Sequence, residues 1–127
     1  MKLRVLDNSI RLRLTQQEVS AAGSGHKVAG NVEFGGGMVF RYQLEPSASC
    51  AEPVADFASG VMTVRLPQST VSAWAGSDRV SISGRQALPG GRELDLLVEK
   101  DFKCLSPRPG EDESDMFANP LEGREAC

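Results

Sequence analysis

With 127 residues, 40% of them hydrophobic and 24% charged, the chain has the size and composition of one folded domain and not of a disordered segment. Three dispersed cysteines exclude a disulfide framework and a zinc ribbon, and no run reaches the roughly 20 apolar residues of a membrane span. The net charge of −3 is uneven: residues 1–100 hold 11 Lys/Arg against 10 Asp/Glu, whereas residues 101–127 hold 3 against 7. A near-neutral body disfavours a dedicated nucleic-acid binder, which carries a basic excess.

Lys2–Leu6 reads as a strand ending at the turn Asp7-Asn8, and charges break up this N-terminus too often for a signal peptide. Ser9–Leu14 alternates Ile10, Leu12 and Leu14 with Arg11 and Arg13, the period-two pattern of a strand with one buried face. Thr15 with Glu18 three residues on is a capping-box pattern, so a short helix follows and ends near Gly23. His26–Phe34 and Met38–Glu45 then form a hairpin around Gly35-Gly36-Gly37, with His26 an exposed residue opening the strand. Gly35-Gly36-Gly37 is a turn and not a phosphate cradle, because no helix follows it.

The order repeats at an offset of 52: RLTQQEVSA (13–21) aligns with RLPQSTVSA (65–73). Val54–Phe57 is a leading strand before Ser59-Gly60, and Val61–Leu66 alternates Met62, Val64 and Leu66 with Thr63 and Arg65. Pro67 takes the place of Thr15 at the start of a second helix, which ends near Gly76. Arg79–Gly84 and Arg92–Glu99 flank a turn around Pro89-Gly90-Gly91. Trp74 stands where the first copy has Ala22 and is expected to anchor the core between the copies.

The reading is therefore an α+β, β-rich domain over residues 1–100. It consists of two pseudo-symmetric β-β-α-β-β repeats, about 2–45 and 54–100, forming a small barrel or two-sheet sandwich. Residues 101–127 are an acidic extended segment that wraps it. The β-α-β-β core with its Leu-Pro step, clearest over 61–99, resembles the swapped-hairpin barrels of bacterial transition-state regulators. Those barrels bind DNA through exposed arginines, a function that fold alone does not carry across.

If Ile10, Leu12 and Leu14 point inward, Arg11 and Arg13 point outward, and Lys2, Arg4, Arg41 and Arg65 face solvent by the same alternation. With the first, second and fourth strands as neighbours these cations would form one basic face. The face reads in three ways: ordinary solvated strand surface that protects edges, an anion or nucleic-acid patch, or a dock for the acidic tail. One Tyr and one Trp are too few for base stacking, and Tyr42 falls on the inner face.

The segment from Val98 to Pro120 gathers Lys100, Asp101, Cys104, Arg108, Glu111, Asp112, Glu113 and Asp115. Its first reading is a structural or interaction strap, with Phe102, Leu105, Met116 and Phe117 as anchors. Its second is a Mg²⁺ or Ca²⁺ site on Glu111, Asp112, Glu113 and Asp115, although the spacing lacks the alternation of an EF-hand loop. Its third is a Cys104 nucleophile activated by Lys100, Lys103 and Arg108, His26 being the only imidazole in the chain. No nucleotide-binding, hydrolase or zinc-protease motif is present.

The opening K-L-R-x-x-x-N-S-I-R-L-R-L-T and the ending V-E-K-D-F-K-C-L-x-P-R-P-G-E-D-E-S-D-x-F-x-N-P resemble a family of small uncharacterised bacterial proteins. The resemblance spans nearly the whole chain and implies no activity, cofactor or partner. The leading functional reading is a non-enzymatic cytosolic binding or regulatory module, with no cofactor, whose surface is the tail together with the arginine stripe. Its partner is expected to be a protein or a small anionic ligand and not a membrane, and the chain a monomer or homodimer. The alternatives are a divalent-metal enzyme using the tail carboxylates and a nucleic-acid-binding barrel.

Overall fold

The computed structural model describes residues 1–102, 115, 117 and 118. They form an α+β, strand-rich fold of eight strands and two helices. The strands are β1 (Lys2–Leu6), β2 (Ser9–Leu14), β3 (Val28–Gly35), β4 (Met38–Ser47), β5 (Val54–Ala58), β6 (Val61–Pro67), β7 (Ser81–Ala87) and β8 (Glu93–Lys100). Helix α1 is Gln16–Gly23 and α2 is Gln68–Ala75. A 3-10 turn at Pro89–Gly91 joins β7 to β8. β4 runs past the expected Glu45 because β6 pairs with it as far as Ser47, whereas β3 stops pairing at Leu44. Beyond that point Pro46 has no β3 partner to leave without a donor.

The helices start as the residues dictate. Thr15 accepts from the Glu18 backbone amide while the Glu18 carboxylate accepts from the Thr15 amide, a complete capping box. Pro67 caps α2 with no side-chain hydrogen bond. The helices pack tightly: a Cβ built on Gly23 would lie 2.6 Å from the Cβ of Ala75.

Two separate four-stranded sheets hold the strands, in the orders β1-β2-β8-β7 and β3-β4-β6-β5. Hairpin neighbours pair antiparallel, and the two central contacts, β2 with β8 and β4 with β6, are parallel. Each sheet thus joins a hairpin from the first half of the chain to one from the second. The eight strands do not close into a barrel. Between β5 and β7, where a ladder would be needed, a side chain stands instead: the Gln86 amide accepts from the Ala55 N–H at 2.7 Å and donates to the Ala55 carbonyl at 3.1 Å.

The inner faces carry the core. Leu12, Leu14, Leu44, Val64, Leu66, Val71, Trp74, Ile82 and Val98 are almost wholly buried, each contributing about 1.5–3 kcal/mol if an aliphatic chain of that size is fully removed from water. Trp74 lies in this core as expected, and its indole N–H donates to the Val80 carbonyl at 3.0 Å. Its first-half counterpart, Ala22, is also buried. Among the described residues no helix is long and apolar enough to cross a membrane.

Candidate ligand-binding face

Alternation turns Arg11 and Arg13 to the outer face of β2, opposite to buried Leu12 and Leu14. Antiparallel register sets Arg4 across from Arg11 and Lys2 across from Arg13. Parallel register sets Glu99 of β8 beside Arg13. The Nε atoms of Arg11 and Arg13 donate to the same Glu99 oxygen, Oε1, at 2.6 and 2.7 Å. Among the described residues their Nη groups make no hydrogen bond, and the two side chains are 34% and 40% exposed. Burial pushes the Glu99 carboxyl up, but hydrogen bonds and charge from Arg11 and Arg13 outweigh it and hold the group below the usual glutamate range.

Arg41 and Arg65 are not part of this face. β4 pairs with β3 and β6 and not with β1 or β2, so a single stripe through strands one, two and four does not form. Arg41 instead donates to Gln43 and Asn31 at 3.2 and 3.3 Å. Arg65 binds Glu45 at 3.0 Å and also pairs with Asp56. The Asp56 hydrogen bond is the main influence holding the Arg65 guanidinium above its ordinary value, against an opposing cost of burial.

Lys100 and Asp101 come together at the end of β8, both buried although charged. The Lys100 ammonium donates to the Ser77 carbonyl at 2.7 Å and lies 6.0 Å from the Trp74 ring and 5.3 Å from the Phe117 ring. Lys2 reaches the Asp101 carboxylate at 3.3 Å. The described part of the C-terminal segment is tied here by backbone: Asp101 N–H to the Leu14 carbonyl, Phe117 N–H to the Asp101 carbonyl, and Gln16 N–H to the Asp115 carbonyl. Phe102 and Phe117 meet edge-on, ring centres 5.8 Å apart. Two of the expected anchors are therefore in place, beside the start of α1. Arg11 and Arg13, expected as possible docks for the tail, hold Glu99 of β8.

Cys104, Arg108, Glu111, Asp112 and Glu113 lie outside the described residues, as do Leu105 and Met116. Asp115 is described, and its backbone carbonyl is the group in use. Among the described residues no three His, Cys, Asp or Glu side chains converge on one point. His26 is exposed at the approach to β3, with its N–H on the Ala21 carbonyl at 3.0 Å.

Sequence reasoning missed two groups. The sequence pattern places Glu99 only at the end of a strand. Its role follows from the parallel β2–β8 register, which links residues 86 positions apart and leaves no local signal. The second group is apolar: Phe34, Met38 and Phe57 are 71%, 69% and 66% exposed on the arm made by the β3–β4 hairpin and β5. Phe40 lies among them, its ring centre 6.1 Å from that of Phe57 and 6.0 Å from that of Tyr42. Period-two hydrophobicity marks such residues as core, and only the topology shows the arm extending past it.

Searches of curated proteins and of solved structures returned no match to this chain. A family model does match, over residues 1–121. That span takes in β1, both sheets, both helices and most of the acidic segment, and the chain belongs to DUF7009, a family of unknown function.

Proposed function

We propose that this chain is a non-enzymatic binding module whose ligand is an extended acidic peptide, held on the outer face of β1 and β2. One observation carries the reading: the two β2 arginines share a single carboxylate oxygen through Nε. Two positive charges thus meet one negative charge, and the two partly exposed guanidinium groups have the donor geometry for bidentate contact with a carboxylate. Residues two apart on a strand lie about 7 Å apart, the spacing of alternate side chains in a second extended chain. Arg4 across from Arg11 widens the patch, while Lys2 across from Arg13 is paired with Asp101.

The patch holds few cations and has Glu99 at its centre, which favours a short acidic peptide over a nucleic acid. The cytosolic reading rests on the free thiol of Cys50 and the scarcity of cysteine. The two-repeat reading is supported by the exchange of hairpins between halves, which maps β1-β2-β8-β7 onto β5-β6-β4-β3. A bacterial source and a regulatory role rest on the resemblances in the sequence.

The test is fluorescence polarisation of a labelled peptide of alternating Glu and Ala, titrated with the full chain. Binding is expected, weakening as salt rises and falling at least tenfold in Arg11→Gln/Arg13→Gln. No binding by the native chain, or equal binding by the double variant, removes the reading. Tighter binding of a single-stranded oligonucleotide than of the peptide transfers the face to nucleic acid.

A further inference from the structure

β3 is an edge strand: among the described residues it pairs with β4 alone. Its backbone groups on the other side form a ready template for another strand. The edge carries apolar surface, with Val32 41% and Phe34 71% exposed. Its flat part is short. A register shift between Glu33 and Gly35 bends the strand, so regular pairing geometry ends at Glu33. At the other end regular pairing begins at Val28, and the ammonium of Lys27, one residue earlier, lies 3.9 Å from the Glu45 carboxylate.

We infer that β3 is a self-complementary edge whose occupant is a second copy of this chain, paired antiparallel about a twofold axis at Gly30. Charge selects that register. Lys27, just before the strand, and Glu33, at the end of its regular pairing, are the charged side chains that flank this edge, and they sit equally far from Gly30.

A twofold antiparallel pairing sets residue i opposite the residue equally far on the other side of the axis. With the axis at Gly30, Lys27 faces the second copy's Glu33, Ala29 faces Asn31 and Val28 faces Val32. Each pair occurs twice. A twofold axis at any other residue parts the two charges, and an axis at Glu33 sets like charges together. An axis between residues sets inner-face side chains opposite outer-face ones. At the axis Gly30 has no side chain of its own, and the Tyr42 ring of the same chain fills its Cβ site, 2.5 Å away. The pairing turns two four-stranded sheets into one of eight and covers Val32.

The other three edges are less suited. β5 has Ala55 occupied by Gln86, and in β7 Gly84 is pressed against Pro53, 2.9 Å from its Cβ site. β1 opposes like charges to itself, since Lys2 and Arg4 are its only charged residues.

Sedimentation equilibrium of the full chain tests the inference, with circular dichroism to verify folding of each variant. The native chain is expected to be a dimer. Lys27→Glu and Glu33→Lys each place like charges opposite one another at two points and weaken dimerisation tenfold or more. The double variant Lys27→Glu/Glu33→Lys restores the native dimer, because the opposed charges are exchanged. A native chain that stays monomeric overturns the inference. So does a dimer indifferent to both single variants, or a double variant no better than either single one. The β1–β2 face lies on the other sheet, so the outcome is independent of peptide binding there.

Discussion

The ammonium of Lys100 lies 5.3 Å from the ring centre of Phe117, seventeen positions further along the chain. The contact holds Phe117 on the domain, together with the Phe117 N–H to Asp101 carbonyl hydrogen bond. A cation over an aromatic face contributes about 0.5–2 kcal/mol, and an edge-on aromatic pair such as Phe102–Phe117 about 0.5–1.5 kcal/mol. Phe117→Ala is expected to lower stability by about 1–3 kcal/mol, read by urea denaturation with Trp74, the only tryptophan, as the probe. Lys100→Met leaves the Ser77 carbonyl without its donor and is expected to cost about 1–3 kcal/mol. In a double-mutant cycle the two are expected to couple, and additive losses would show that Phe117 does not act on Lys100.

Glu99 predicts an acid-side loss of stability. Its folded pKa is lowered, since the arginines outweigh the opposing effect of burial. The group therefore stabilises the fold fully above its unfolded pKa of about 4.3, and the contribution fades as pH falls through the lower folded value. Glu99→Gln removes this dependence. Between neutral pH and about pH 3 the native chain is expected to lose more stability than the variant, and parallel curves would contradict the assignment.

The crossing of α1 and α2 depends on Gly23. Gly23→Ala puts a methyl 2.6 Å from the Cβ of Ala75 and is expected to cost about 1–3 kcal/mol, despite the better helix propensity of alanine. Ala75→Gly in the same chain vacates the space and is expected to recover most of the loss. A thermal melt of the single and double variants decides it.

Thr15 caps α1 through its side chain, whereas Pro67 offers α2 none. Thr15→Ala is expected to cost about 0.5–2 kcal/mol, and Thr15→Ser much less. Equal losses in the two variants would place the effect in the threonine methyl group.

The elements were legible because their signals are local. Alternation around Leu12 and Leu14, the Thr15–Glu18 box and the glycine turns each act within a few residues, and the helices and strands formed where these signals stood. Partnership between strands is not local. Nothing near Arg13 indicates Glu99, and nothing near Arg41 shows that it stands apart from Arg11. The burial of Lys100 was equally hidden, because its cost is offset by Trp74, Ser77 and Phe117, groups scattered through the chain. The site was therefore legible as a set of outward-facing arginines on β2 and not as an arrangement.

The parallel seams have a consequence for how the molecule comes into being. Leu12 lies beside Val98, and Leu44 beside Val64, so each inner strand, already paired with its own hairpin partner, finds its second neighbour in the other half. Completion of the sheets must wait for the far end of the chain, and such distant closures give high contact order and slow folding. Cut between Ser47 and Val54, the chain is expected to yield two fragments that are unstructured alone and fold on mixing as a one-to-one complex.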